Sequence, residues 1–414
     1  MCTGNLALLS LATRWLRPGL AAALILIWAA CPSAAQVETV PVFAAQRVLG
    51  AAAKGANYRV QDPVTTDGLL RIYTLETRYG TYTVYGDAML LQRRRELAAL
   101  ATLEKQSQTK AFTNAMVRAG TAPIEFAGDL LTDPVQTTKR TISGIGEVFG
   151  RVTSGIANVG KSRDSAAKSA LGISAAQRKV ASDLGVDPYT DFPPLAQKLA
   201  EFARASALGG LVVKAGIAFI PGAAGTAVST SSTVQGLGSL VQDKTPSQLT
   251  EVNRARLGKL GVPGATIEKF LSNSRYTPAD QTVIAGALQQ LRGVRDARVY
   301  VDRLVQADSR DLAVFLRART EMIASYQQRT GAIARFVNIR GIPLTEQRDG
   351  SLMLLAPLDI VVWNSLVSKA LTTVTSDIRK RRAGAKLILA ISGTATPSSL
   401  RQLKQLGWSV TGAR

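Results

Sequence analysis

The sequence contains no histidine, and its only two cysteines, Cys2 and Cys31, lie within the first 35 residues. If that stretch is removed, the remaining chain has no imidazole base, no thiol nucleophile and no His/Cys metal site. It would also have no thiol to cross-link in an oxidising compartment, so its stability must come from packing. Aromatic residues are scarce at 6%, and acids are few: 29 Asp and Glu face 50 Lys and Arg, a net charge of +21. Loss of Arg14 and Arg17 with the leader leaves +19, a charge that points to anionic partners. Across 414 residues, 46% apolar and 19% charged content excludes wholesale disorder and a polytopic membrane protein, and the length predicts two to three domains.

Residues 1–35 read as a secretory signal. Arg14 and Arg17 precede an apolar stretch from Gly19 to Ala30, which Pro32, Ser33, Ala34 and Ala35 follow. Cleavage is expected before Gln36. As a helix the stretch reaches about 18 Å, short of the roughly 30 Å of a bilayer core, which argues against an uncleaved anchor. Lipidation of Cys31 is a further alternative, disfavoured by the bulky Trp28 three places upstream. The expected destination is the periplasm or the extracellular space, with peripheral membrane association allowed.

The expected fold class is α+β and predominantly α-helical. An N-terminal segment, 36–86, carries a β-hairpin formed by Leu69 to Arg78 and Thr81 to Tyr85. A helical region, 87–330, begins with Asp87 capping a helix to about Val117. Further starts are signalled at Asp191 with Pro193, Thr245 with Pro246 and Thr277 with Pro278, and stops at Gly185 and Gly261. The C-terminal segment, 331–414, reads as a small α/β domain of order ββαβαβ. Its strands are Ile333 to Ile339, Ser351 to Ala356, Lys386 to Ile391 and Trp408 to Val410, with a helix capped by Asp359 and another opened by Thr396-Pro397. At least one parallel strand pair should result, through a right-handed crossover.

The run Gly155-Ile156-Ala157-Asn158-Val159-Gly160-Lys161-Ser162 resembles the P-loop of nucleotide-binding NTPases, in which backbone N–H groups, Lys161 and Ser162 would meet phosphates and Mg²⁺. Its surroundings oppose that chemistry. Ile142, Ile145, Val148, Phe149, Val152, Ile156 and Val159 recur every three to four residues, so an amphipathic helix with Arg140 and Arg151 on its other face runs through the motif. Ser-x-x-Lys occurs at Ser107/Lys110 and Ser165/Lys168, without the companion elements of a serine acyl-transfer site. Acidic pairs such as Glu76 with Asp87 and Asp183 with Asp187 show no shared site.

The loop from Ser392 to Thr396 is the candidate anion site. Gly393, Thr394 and Thr396 follow a strand and open a helix, where free N–H groups and the dipole favour negative charge, although ordinary capping by Thr396 explains the same residues. Residues 205–242 hold one charge, Lys214, among Gly, Ala, Val and Ile, and read as a buried helical hairpin with interfacial membrane contact as the alternative. Arg93, Arg94 and Arg95 fan across roughly 200° of a helix, so at least one should meet the protein body or an acidic partner. Arg379 to Arg382 suit a helix C-terminus.

These features favour an exported, basic envelope protein of non-enzymatic binding or structural role. It would contact an anionic membrane surface, an envelope polyanion or an acidic protein through Arg93, Arg94, Arg95, Arg140 and Arg151. No cofactor or metal is expected, nucleic acid is disfavoured by export, and no small-molecule ligand is indicated. The competing classes are an enzyme or small-ligand binder using loop 392–396, a membrane-inserting effector and a P-loop NTPase.

Overall fold

Among the described residues, two main β-sheets and a short strand pair, with the helices that pack on them, belong to Val37–Arg414, which forms one unit by its internal contacts. The computed structural model describes residues 37–55, 57–119, 174–209 and 232–412. After the short helix α1 (Ala45–Leu49) come β1 (Lys54–Gly55), β2 (Tyr58–Thr66), β3 (Arg71–Thr77) and β4 (Gly80–Tyr85), an antiparallel sheet in sequence order. The expected hairpin is β3–β4. Strand β2 was not expected, because Asp62-Pro63 falls in its middle and reads as a breaker. The sheet accommodates it at a register shift between Gln61 and Thr65, beyond the short pairing with β1 at Tyr58 and Arg59, where the outer flank of β2 carries the bridge from Phe43 to Val64.

Helix α2 (Asp87–Ser107) packs on this sheet. The single helix expected to reach Val117 breaks at Gln108, and Thr109 caps a second helix, α3 (Lys110–Arg118), by accepting from the Phe112 N–H. Asp87 lies in the first turn of α2 and does not cap it, because Arg71 and Tyr73 take its carboxylate. With α4 (Ala175–Asp183) and α5 (Pro193–Gly209), these elements bury Tyr73, Leu97, Phe112, Phe192 and Phe202 in one core.

The rest of the helical middle joins a second core. Helices α6 (Ser232–Asp243), α7 (Pro246–Gly258), α8 (Gly264–Leu271), α9 (Pro278–Gln289), α10 (Ala297–Val305) and α11 (Arg310–Thr330) lead into the C-terminal sheet, and residues of α7–α11 bury with it. Thr245 and Thr277 form full capping boxes with proline in the first turn. Gly185 and Gly261 close their helices at φ 67° and 71°, and the following valines donate back to Ala181 and Leu257.

The helix-dominated α+β architecture is therefore observed, with one more strand than expected in the main C-terminal sheet, β6, and a short extra pair, β8 with β10, beside it. Strands β5 (Ile333–Ile339), β6 (Ile342–Gln347) and β7 (Leu352–Ala356) form an antiparallel meander, where only Ile333 to Ile339 and Ser351 to Ala356 were expected as strands. The alternation was hidden because β6 buries both faces, Ile342 to Thr345 being inside without a break. After β8 (Ile360–Val361), helix α12 (Ser365–Arg381) leads to β9 (Leu387–Ile391). Beyond β10 (Thr394–Ala395), helix α13 (Pro397–Gln405) leads to β11 (Trp408–Gly412). The main sheet has the order β11-β9-β7-β6-β5, with β7, β9 and β11 parallel, and β8 and β10 make a separate parallel pair.

All of β7 is buried. Leu354 and Leu389 line a small apolar cavity with Val367, Ala370 and Leu371 of α12. Arg319 of α11 reaches the sheet: its Nε donates to the Leu355 carbonyl at 2.7 Å and a terminal nitrogen to that of Pro343. Burial pulls its pKa down, and the Tyr300 ring lies 5.7 Å from the guanidinium.

Candidate functional site

Loop 392–396 is pinned to residues 358–361 by backbone bonds. Gly393 donates to the Leu358 carbonyl at 2.8 Å, Thr394 pairs with Ile360, and Thr396 donates to Val361 at 3.0 Å. The Thr396 hydroxyl caps α13 by accepting from the Ser399 N–H at 3.1 Å. A carboxylate sits at this helix N-terminus, and it belongs to the chain itself. Oε2 of Glu38 accepts from the Thr396 hydroxyl at 2.7 Å and from the Trp363 N–H at 3.0 Å, and the Glu38 N–H donates to the Trp363 carbonyl at 2.8 Å. Thr394 is exposed beside it. Glu38 is remote in sequence and carries no motif, so only the folded chain identifies it.

Asp359, read as a helix cap, serves a different end. Asn364 caps α12, accepting from the Val367 N–H at 2.9 Å, whereas Asp359 is buried and accepts from the backbone N–H groups of Arg71 (2.9 Å) and Asp87 (3.1 Å). The neighbouring Asp359 and Ile360 N–H groups donate to Leu69, and Asn364 Nδ2 donates to Asp67. This junction clamps the β2–β3 connection and the start of α2 onto residues 359–364. Burial and the Asp87 carboxylate push the Asp359 pKa upward, against its two N–H donors and Arg71. The same surroundings, burial first and then Asp87, raise the Tyr73 phenol far above its usual range.

Arg93 and Arg94 both turn inward. Arg93 pairs with Glu96 at 2.7 Å and Asp191 at 2.9 Å, with the Phe192 ring 5.4 Å away, while Arg94 Nε donates to the Tyr58 hydroxyl at 2.7 Å. Arg95 remains exposed, with Arg317 and Glu321 as its electrostatic neighbours. Arg93 thereby belongs to a buried ionic network spanning α2, α9, α11 and the α4–α5 connection. At its centre Asp280, fully buried, pairs with Arg310 and, at 2.7 Å, with Arg317, and accepts from the Thr277 N–H. Asp187 accepts from the Thr277 hydroxyl at 2.6 Å and the Tyr189 N–H at 2.8 Å.

The network separates its acids. Burial would raise Asp280, but Arg310 and Arg317 hold it down to about 2. Asp187 is pushed up to about 6 by burial and by Asp280, and Asp311 to about 6 by burial against the pull of Arg93. Both bind a proton more tightly folded than unfolded, so their stabilising contribution is complete below the ordinary 3.8 and is lost as pH rises through about 6. Each accounts for roughly 2–3 kcal/mol. Asp280 works in the opposite direction, but only below pH 3.8. With no histidine to titrate, the window from pH 5 to 8 reports the raised carboxyls Asp187 and Asp311. The protein is expected to resist urea better at pH 5 than at pH 8, and Asp187→Asn with Asp311→Asn should flatten that difference. Equal midpoints for the wild type at both pH values would contradict the assignment.

The C-terminal segment carries an excess of positive charge. Residues 331–412 hold eleven Lys and Arg against four Asp and Glu, a net of +7. The four acids are engaged within the fold. Glu346 lies between Arg335 (2.7 Å) and Arg382 (2.9 Å), Asp377 meets Arg340 at 2.7 Å, Asp349 accepts from the Ser351 N–H and hydroxyl, and Asp359 is buried. Around the C-terminus of α12 and the 338–341 turn, Arg335, Arg340, Arg379, Lys380, Arg381 and Arg382 therefore converge. Arg379 donates to the carbonyls of Ala383 and Ala385 and Arg381 to that of Asn338, while Lys380 and Arg381 are exposed.

Arg140, Arg151 and the P-loop-like Gly155, Gly160, Lys161 and Ser162 lie outside the described residues, as do Ser165/Lys168 and the centre of the 205–242 segment. Ser107 and Lys110 are separated by the break between α2 and α3, and the Ser107 hydroxyl donates to the Glu104 carbonyl at 2.7 Å. Among the described residues no group of three His, Cys, Asp or Glu side chains is arranged to hold a metal ion, and no helix is long and apolar enough to cross a membrane. No protein-family model, curated protein or solved structure matches the chain.

Proposed function

We propose that the protein is an exported, non-enzymatic binding protein that attaches to an anionic surface through the basic end of its C-terminal α/β domain. The supporting observation is that six cations gather around the end of α12 where two carboxylates, Glu346 and Asp377, answer Arg335, Arg382 and Arg340, which leaves Arg379, Lys380 and Arg381 in excess. This moves the contact away from Arg93 and Arg94, whose charges are answered within the protein. Lys380 and Arg381 project from a helix end clamped on the sheet, a rigid presentation that loses little conformational entropy on contact.

Binding to acidic phospholipid vesicles should exceed binding to neutral ones and weaken as salt shortens the screening length, about 10 Å at 0.1 M. At about 1 kcal/mol per cation near such a surface, Lys380→Gln with Arg381→Gln should lower affinity about thirtyfold at low salt. Circular dichroism should remain unchanged, since both side chains are exposed. Indifference of the folded wild-type protein to acidic vesicles at low salt would remove this function.

A further inference from the structure

The segment from Val37 to Phe43 bridges the two halves of the molecule while burying little of itself. At one end Glu38 engages Trp363 and Thr396, and at the other Phe43 exchanges two backbone hydrogen bonds with Val64 of β2, at 2.8 and 2.9 Å. Between them the chain runs over the surface. Val37 and Val42 are 55% and 65% exposed, which makes them two of the four exposed large hydrophobic residues among those described. Only Phe43, at the far end, packs against the N-terminal core; from Val37 to Val42 hydrophobic burial does little to hold the segment down, and polar contacts near its ends fasten it.

The seat of Glu38 has the form of a receptor. One carboxylate oxygen takes both a backbone N–H and a hydroxyl, at the positive end of the nine-residue helix α13. The Glu38 N–H pairs in return with the Trp363 carbonyl, so the seat reads an extended backbone together with its acidic side chain. The seat is rigid from below. Ser399 donates to the Val361 carbonyl at 2.9 Å, Thr396 bonds the same carbonyl through its N–H, and Gly393 packs directly on the Asp359 backbone.

We propose that residues 37–43 are a displaceable strap, with Glu38 filling in cis a site that takes, in trans, an extended acidic segment of a partner polypeptide. The chain's positive charge favours the approach of such a partner. The site lies on elements other than the basic end of α12 and depends on none of its cations, so the two proposals stand or fall separately.

The probe is a labelled, C-terminally amidated peptide of residues 36–42, Gln-Val-Glu-Thr-Val-Pro-Val. Full-length Glu38→Ala protein should bind it at least tenfold more tightly than wild type, and a peptide carrying glutamine in place of Glu38 should bind at least tenfold more weakly. Adding Thr396→Val to the Glu38→Ala chain should abolish binding while circular dichroism stays unchanged. In the wild type, with no substitution at all, the Glu38 and Trp363 amides should exchange with deuterium at least tenfold faster than those of β9. The proposal is overturned by absence of peptide binding to the folded Glu38→Ala protein, by equal binding of the glutamine peptide, or by strap amides as protected as β9.

Discussion

Asp280→Ala is expected to cost about 3–5 kcal/mol of stability, a third or more of what a domain commonly has. Asp280, fully buried, answers two partly buried arginines at once, Arg310 and Arg317, where α9 meets α11. Removing it also frees the Thr277 N–H and so breaks one arm of the capping box that starts α9. The loss arises chiefly from stranded charge: two guanidinium groups remain in a site that water enters poorly, with Nη2 of Arg310 and Nε of Arg317 already lacking hydrogen-bond partners. A compensated variant separates this cause from loss of shape. Asp280→Leu combined with Arg310→Met and Arg317→Met should recover most of the loss, because an apolar replacement of the whole ionic group leaves nothing uncompensated. Urea unfolding followed by circular dichroism measures both. A loss below about 1 kcal/mol for Asp280→Ala would show that water reaches the arginines and that the network is weaker than its burial implies.

The second large effect is expected at Gly393. A Cβ there would stand 2.8 Å from the Asp359 Cα and closer still to its carbonyl group, so even alanine forces two backbone segments apart. Neither can yield separately. Gly393 is bonded to Leu358, and Asp359 is tied by its carboxylate to the N–H groups of Arg71 and Asp87. Gly393→Ala should cost about 3 kcal/mol, the upper part of the usual overpacking range. It should also loosen the junction between the sheets, seen as faster deuterium exchange at Arg71 and Asp87. Gly384→Ala is the matched control: its added Cβ meets nothing within 4 Å, so stability should stay within about 0.5 kcal/mol. A neutral result at Gly393 would mean that the 392–396 loop does not rest on Asp359 as described.

Local chemistry was legible in the sequence wherever one residue's conformation or one helical turn decides the outcome. Thr245-Pro246, Thr277-Pro278 and Thr396-Pro397 start helices because a hydroxyl and a ring act within four residues, and Gly185, Gly261 and Gly407 stop them because φ must turn positive there. The β3–β4 hairpin and the parallel β9–β11 pair follow from equally short patterns. Strands β2 and β6 escaped, one interrupted by a proline and the other apolar on both faces, because their pairing depends on neighbours rather than on their own alternation. The absence of histidine likewise set in advance which groups can titrate near neutrality.

Tertiary structure alone decided the use of each charge. Arg93, Arg94 and Arg95 are identical in the sequence, yet one joins an ionic network, one meets a tyrosine and one stays outside, since successive positions on a helix point about 100° apart. Asp359 meets the N–H groups of Arg71 and Asp87 across separations of 288 and 272 residues, and Glu38 reaches Thr396 across 358. No spacing rule extends over such distances. A carboxylate's partner is set by whichever N–H or cation the fold leaves uncovered nearby, and that is determined only once both sheets have formed.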